Sequence, residues 1–181
     1  MPVITKTLAT LAALGAAGLT LAATSAPAQA AVSVACDASG TTNFTPGVQA
    51  VPISQQISYR GDDRTCSDHT GFGIRSARIT ADLHNVELSC LASGGGSGSG
   101  SATIEWTTGG GRQTSEIDIT IDSSVLNSGK VSGVVRRGPF EGQRFSGQFD
   151  TNLLTGAFSC TFGAPLGGVK NATFNGHYTI G

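Results

Sequence analysis

The stretch SATIEWTTGGGRQTSEIDITI, residues 101–121, decides the fold class of this chain. Apolar residues take every second position on both sides of its glycine run: Ala102, Ile104, Trp106, Ile117, Ile119 and Ile121. Side chains of a strand point alternately to the two faces of a sheet, so this period of two indicates one buried and one solvated face. The stretch therefore predicts an antiparallel hairpin closed by a glycine turn.

Similar alternation recurs along the chain and predicts about nine or ten short strands, with no helix after residue 30. The expected strands cover residues 32–36, 53–60, 79–83, 86–90, 102–107, 116–121, 130–136, 145–149, 158–162 and 173–180. Turns are expected at 45–47 and 127–129, and polar loops at 60–70 and 93–101. The apolar parity switches at His84-Asn85, which predicts a bulge or tight bend there.

The short connections between these strands predict an antiparallel meander rather than a fold with crossover helices. We expect an all-β domain built as a single antiparallel β-barrel, because closure removes the exposed edges of a sheet. A two-sheet β-sandwich is the alternative, since it would use the same alternation. Gly147 and Gly176 fall on inward positions, where they suit tight curvature or close packing.

The first 30 residues have the features of an export signal. Lys6 provides a positive charge, residues 8–23 form an uncharged apolar run, and Ala28-Gln29-Ala30 fits the small-x-small cleavage rule. The apolar run is short for a membrane-spanning helix. We therefore expect a signal peptide of residues 1–30 and a secreted β-domain of residues 31–181, extracellular or cell-wall associated, without membrane contact after cleavage.

Composition limits the classes of partner. The chain carries 11 basic and 12 acidic residues, and loss of Lys6 with the signal would leave 10 against 12. A nearly neutral domain is not built for nucleic acid or for an anionic membrane surface. Charged residues make up only 13% of the chain and glycine 26 of 181 residues, which favours strands and turns over helices.

All four cysteines lie after the predicted signal: Cys36, Cys66, Cys90 and Cys160. An even number in an exported chain predicts two disulfides, for which three connectivities exist. We favour Cys36–Cys66 and Cys90–Cys160, because each bond would join segments expected to lie close together. The absence of a C-x-x-C spacing makes a zinc site the weaker interpretation.

Three sequence patterns occur in one order behind the Ala-rich signal. They are Ser89-Cys90-Leu91, then Ile104-x-Trp106 with Gly111 and Ser115, then Gly133-x-Val135-x-x-Gly138-x-Phe140-x-Gly142. In this order, over roughly residues 86–165, the chain resembles small secreted β-proteins of actinobacteria such as Streptomyces, whose function is unassigned. The resemblance implies an extracellular β-domain from a Gram-positive actinobacterium, and it implies no catalytic residue.

The loop 60–70, RGDDRTCSDHT, holds the densest group of possible ligands: Asp62, Asp63, Asp68 and His69. Carboxylates could bind Ca²⁺, and a carboxylate beside a histidine could act in acid–base chemistry. Because the spacing differs from that of a D-x-[DN]-x-[DN]-G loop, we favour a solvated loop and keep the four residues as binding candidates. No catalytic residue, metal or cofactor is predicted.

Two other groups have structural explanations. Trp106 could stack on a sugar, but it shares the parity of Ile104, so packing in the core is the prediction. Asp118 and Asp122 lie on the polar face of one strand, and solvation is a better explanation for them than a glycosidase pair with one desolvated acid.

The sequence favours a non-enzymatic extracellular domain that binds another macromolecule, either a protein or a cell-wall polysaccharide, or that serves as a stable cell-surface component. The alternative is a secreted inhibitor or accessory protein of an extracellular hydrolase. An inhibitor needs a rigid loop, and the loop 60–70 qualifies through Cys66. A small hydrolase assembled from Asp62, Asp63, Asp68 and His69 is the third interpretation.

Overall fold

The computed structural model of the chain describes residues 34–89, 96–125, 128–152 and 168–181. These residues form nine strands: β1 Val34–Val48, β2 Ile53–Gly61, β3 Arg64–Asp68, β4 Ile74–Leu88, β5 Gly98–Thr108, β6 Gly111–Val125, β7 Ser128–Arg137, β8 Arg144–Thr151 and β9 Val169–Ile180. No helix occurs in the part of the chain that the structure describes, which confirms the all-β prediction. The strand expected at 158–162 and the signal peptide lie outside the described residues.

The nine strands form one antiparallel sheet that closes into a ring. From β4 to β9 each strand pairs with its sequence neighbour, and β9 returns to pair with β1 along most of its length. The short strands β2 and β3 together fill the remaining place between β1 and β4. The single closed sheet agrees with the predicted barrel arrangement rather than with two separate sheets.

The hairpin predicted over residues 101–121 is confirmed as β5 and β6. Thr108 pairs with Gly111, so Gly109 and Gly110 form the two-residue turn. The β5 arm is longer than expected, because Gly98–Ser101 of the predicted flexible loop pairs with both neighbouring strands. A Cβ at Gly100 would overlap the Asp82 carbonyl oxygen, so this glycine permits close approach of two strands instead of supplying flexibility.

The predicted irregularity at His84-Asn85 is also confirmed. Gln55 of β2 pairs with Val86 and Ile57 pairs with Leu83, so the two residues between Leu83 and Val86 face one residue of β2. Asn85 has a φ of 57°, the left-handed conformation that asparagine tolerates better than most residues. Because of the bulge, the apolar side chains before it and after it both point to the inner face of the sheet.

Two local predictions were wrong. Residues 45–47, expected to form a turn, lie within β1, and the Thr45–Pro46 peptide bond there is cis. The pairing of β1 with β9 is interrupted between Asn43 and Val48, so Pro46 occupies a place where no ladder hydrogen bond is needed. The loop expected at 60–70 contains the strand β3, which pairs with β1 beyond the point where β2 ends.

The inner face of the ring carries the core. Its largest fully buried side chains are Trp106, Tyr178, Phe145, Phe174, Leu83, Ile104, Ile117 and Ile180. We call the end of the ring that holds the β5–β6 turn and the β7–β8 connection the Trp106 end. The opposite end, where β4 ends at Leu88 and β7 begins at Ser128, is the Ser128 end. Gly147 and Gly176 lie close against Phe149, which confirms their role in packing.

Candidate functional site

A cavity of about 60 Å³ lies inside the ring, towards the Ser128 end. Aliphatic side chains of β4 and β6 and aromatic rings of β8 and β9 form much of its wall. Among them are Ala81, Leu83, Ile119, Ile121, Phe149 and Phe174. A site for one water molecule requires about 10–15 Å³ of such space, so the enclosed volume corresponds to roughly four to six water-sized groups.

Tyr59 supplies the polar group of this inner wall. Its ring meets the edge of Phe174 at a centroid distance of 5.1 Å and an interplanar angle of 89°, and Phe149 lies 6.2 Å away. No hydrogen bond among the described residues uses the Tyr59 hydroxyl. Burial of that hydroxyl raises the pKa of Tyr59 to about 12, so the phenol is neutral and available as a donor.

Among the described residues, no acidic or basic side chain lines the cavity. Its other side-chain hydroxyls belong to Ser128 and Thr151, which stand at the ends of β7 and β8 and so mark the rim at the Ser128 end. The described cavity wall is therefore apolar inside, apart from the Tyr59 phenol, and more polar at the rim. Such a site favours neutral molecules, because an ion would lose its hydration without gaining a counter-charge.

The four residues predicted as a binding cluster lie at the two ends of β3. Asp62 and Asp63 precede the strand, whereas Asp68 ends it and His69 follows. At about 3.3 Å per residue, Asp63 and Asp68 are separated by roughly 16 Å. Asp63 instead forms an ion pair of 3.3 Å with Arg78, and both side chains are exposed.

Asp68 organises the connection to β4. One of its carboxylate oxygens accepts hydrogen bonds from the amide and the hydroxyl of Thr70, and the other accepts from the Ile74 amide. The Thr70 hydroxyl is the main cause of a lowered pKa of Asp68, and the backbone amides add to it. The carboxylate thus holds the segment 69–73 in a defined shape, with left-handed glycines at Gly71 and Gly73.

That segment presents Phe72, which is 55% exposed. The Phe72 ring meets Phe140 at 5.6 Å, and Phe140 meets Trp106 at 5.3 Å, both nearly edge-on. Trp106 itself is fully buried, which confirms the prediction that it packs in the core. Phe72 could not be predicted from the sequence, because an exposed aromatic residue in a polar loop has no periodic pattern.

Asp118 and Asp122 are both on the outer face of β6, as expected for solvated acids. Arg136 binds the Asp118 carboxylate through two nitrogens, with Nε at 2.6 Å. Asp122 accepts a hydrogen bond of 2.7 Å from the Ser132 hydroxyl. Each carboxylate has its own polar partner, and neither is buried in the way that a glycosidase acid requires.

The predicted Cys36–Cys66 disulfide is present. The two residues are directly opposite each other on β1 and β3, with a Cα–Cα distance of 4.1 Å. Cys90 and Cys160 lie outside the described residues, so their predicted bond remains a prediction. Within the described ranges, no group of three or more histidine, cysteine, aspartate or glutamate residues is placed to hold a metal ion.

The described residues include no helix that is long and apolar enough to cross a membrane. Comparisons of the chain with protein-family models, with curated proteins and with solved structures gave no significant match. The resemblance to secreted actinobacterial proteins therefore stays a prediction.

The cavity is the functional feature that sequence reasoning missed. The sequence predicts only a strand over residues 53–60, which includes Tyr59. Alternation shows which side chains point inwards, but the space left between them depends on how strands distant in sequence curve and meet. Only the closed ring brings Tyr59 next to Phe149 and Phe174.

Proposed function

We propose that the protein is an exported, non-enzymatic binding domain whose ring encloses part of a small, neutral, apolar ligand. The cavity with its apolar wall is the observation that carries this proposal. An enclosed apolar pocket with one or a few polar groups is the usual form of a small-molecule site. The volume of about 60 Å³ limits the enclosed part of the ligand to a single small ring or a short chain.

Two observations support export to an oxidising compartment. The pattern of residues 1–30 is that of a signal peptide. The Cys36–Cys66 disulfide belongs to the kind of cross-link that persists outside the cytosol. We therefore propose an extracellular location for the mature domain.

The character of the wall supports binding without catalysis. Covalent or acid–base catalysis requires a nucleophile or an acid within reach of a second titratable group. The described part of the cavity wall offers the hydroxyls of Tyr59, Ser128 and Thr151 and no histidine, carboxylate, lysine or cysteine. This wall can hold and orient a ligand, but it offers no base that would activate one of these hydroxyls.

A titration followed by nuclear magnetic resonance tests the proposal, with cyclopentane as the probe. In the native protein we expect saturable shifts of methyl signals from Ile119 and Leu83. Ala81→Leu should abolish these shifts, because the added carbons fill the cavity from β4. Ser54→Leu adds the same side chain on the outer face of β2 and should leave binding intact. A native protein that shows no saturable shift would refute the proposal.

A second candidate, an inhibitor or accessory of an extracellular hydrolase, is favoured by the segment 69–73. Cys66 ties β3 to β1 immediately before the segment, and Asp68 fixes its shape. Inhibitors use such rigid, pre-organised loops to present an anchor side chain, and Phe72 is exposed at the tip of this one.

Inhibition assays against a panel of secreted proteases and glycosidases test this second candidate. Phe72→Ser should remove inhibition by the native protein. Val51→Ser is the matched control, since Val51 is similarly exposed at 59% but lies between β1 and β2. Equal inhibition by both variants would exclude Phe72 as the anchor.

A further inference from the structure

We propose that Tyr59 is the polar anchor of the cavity and that the ligand carries one neutral hydrogen-bond acceptor, such as the carbonyl of a ketone or an ester, on its apolar body. This inference rests on the proposed function and names the ligand class of the same cavity. Tyr59 would select the ligand by donating a hydrogen bond to the acceptor.

The position of the Tyr59 hydroxyl supports the anchor role. The side chain is only partly buried by accessible surface, and it lines the cavity wall. Its hydroxyl has no hydrogen-bond partner among the described residues. A ligand in the cavity that Tyr59 lines can therefore supply the acceptor that this hydroxyl lacks.

The surrounding rings fix the direction of this donor. Phe174 meets the tyrosine ring edge-on and Phe149 lies against it at a tilt of 38°. Aromatic pairs of this geometry stabilise one orientation of the ring beyond the simple burial of area. A donor that is held in place before binding loses little entropy when the hydrogen bond forms, and this favours selectivity.

Tyr178 is a second inward tyrosine of the closed sheet, and it serves as a comparison because it does not line this cavity. Its hydroxyl is fully enclosed and has no hydrogen-bond partner among the described residues, and it does not line the cavity. Its ring packs between Trp106 and Phe145. The two inward tyrosines thus provide a matched pair, one facing the cavity and one sealed in the core.

The chemistry of the wall restricts the ligand group that Tyr59 can bind. A neutral phenol with a raised pKa donates a hydrogen bond, so the ligand must provide an acceptor. A carboxylate could accept it, but no cationic side chain of the described residues lines the cavity to offset the desolvation of that charge. A neutral carbonyl oxygen meets both requirements.

A comparison of two probes with three forms of the protein tests this inference. The probes are cyclopentanone and methylcyclopentane, which have the same number of non-hydrogen atoms and differ in the acceptor. Dissociation constants for both are measured by nuclear magnetic resonance with the native protein, Tyr59→Phe and the control Tyr178→Phe. We expect Tyr59→Phe to weaken cyclopentanone binding by about three- to tenfold, the value of one net hydrogen bond, without weakening methylcyclopentane binding. Tyr178→Phe should change neither constant.

The outcomes distinguish the proposed hydrogen bond from Tyr59 from the proposed binding of ligands in the cavity. If Tyr59→Phe leaves cyclopentanone binding unchanged while both probes still bind, the anchor is overturned and the apolar cavity site stands. If it weakens both probes equally, Tyr59 acts by shape and the acceptor requirement is overturned. If neither probe binds the native protein, the cavity function and the anchor both fail.

Discussion

The indole Nε1 of Trp106 donates a 2.8 Å hydrogen bond to the hydroxyl of Ser115, across the β5–β6 hairpin. The same hydroxyl donates to the carbonyl oxygen of Pro139 at 2.6 Å. The side chains of Trp106 and Ser115 are fully buried. One serine therefore connects the largest core residue to the β7–β8 connection that covers the Trp106 end.

Ser115→Ala should lower the free energy of unfolding by about 1–3 kcal/mol, because it leaves the buried Trp106 N–H and the partly buried Pro139 carbonyl without their partner. Urea denaturation followed by tryptophan fluorescence measures the change. Ser101→Ala, on the exposed face of β5, is the control and should have little effect. Equal stability of the two variants would show that water replaces the lost hydroxyl.

Gly138 and Gly142 provide a matched pair on the β7–β8 connection. Both have left-handed backbones, with φ of 87° and 83°, but a Cβ at Gly138 would overlap the Thr114 carbonyl, whereas none of the described atoms lies within 4 Å of one at Gly142. Alanine at either site carries the backbone cost of about 1–2 kcal/mol. Gly138→Ala should cost about 1–3 kcal/mol more, the range for overpacking. Thermal unfolding of both variants measures the difference, and equal costs would contradict the close contact.

Removal of the Cys36–Cys66 bond should destabilise the fold by about 3–4 kcal/mol in the chain-entropy account, since the two residues are 30 apart in sequence. The double variant Cys36→Ala/Cys66→Ala isolates this bond from the other two cysteines. Urea denaturation of the variant and of the native protein, both without reductant, measures the loss. A loss below about 1 kcal/mol would show that the β1–β3 pairing alone holds the segment.

Acidification should remove stability that Asp68 supplies. Its pKa is lower in the folded protein than in the unfolded chain, so ionisation favours folding. This contribution is complete above the ordinary pKa of 3.8 and is lost as the pH falls below it towards the folded pKa. Melting temperatures between pH 6 and pH 2 should therefore fall less for Asp68→Asn than for the native protein. Ser146→Ala, at an exposed site on β8, should follow the native curve.

Tyr178→Phe should raise the free energy of unfolding by about 1 kcal/mol, because it removes a buried hydroxyl without a partner among the described residues. Tyr59→Phe should leave stability nearly unchanged, since the Tyr59 hydroxyl faces the cavity. Chemical denaturation of both variants compares the two sites. A clear loss of stability in Tyr178→Phe would mean that an ordered water satisfies its hydroxyl.

The sequence by itself determined the class of fold and much of its local detail. Period-two alternation identified the inward face, including Trp106, and the parity switch at His84-Asn85 located the bulge. These features could be predicted because they depend on the geometry of one strand and on turns between neighbours. The Cys36–Cys66 bond is also confirmed; it was predicted because the two segments were expected to lie close together.

Only the tertiary structure decided the features that depend on distant strands. Gly98–Ser101 has the composition of a linker, yet Gly100 is needed where β5 approaches the Asp82 carbonyl. The strand β3 forms because β1 and β4 leave a place beyond the end of β2. The cavity beside Tyr59 exists because β2, β8 and β9, remote in sequence, curve into one closed ring. Composition and periodicity are properties of single strands, whereas the space inside the ring depends on how all nine described strands meet.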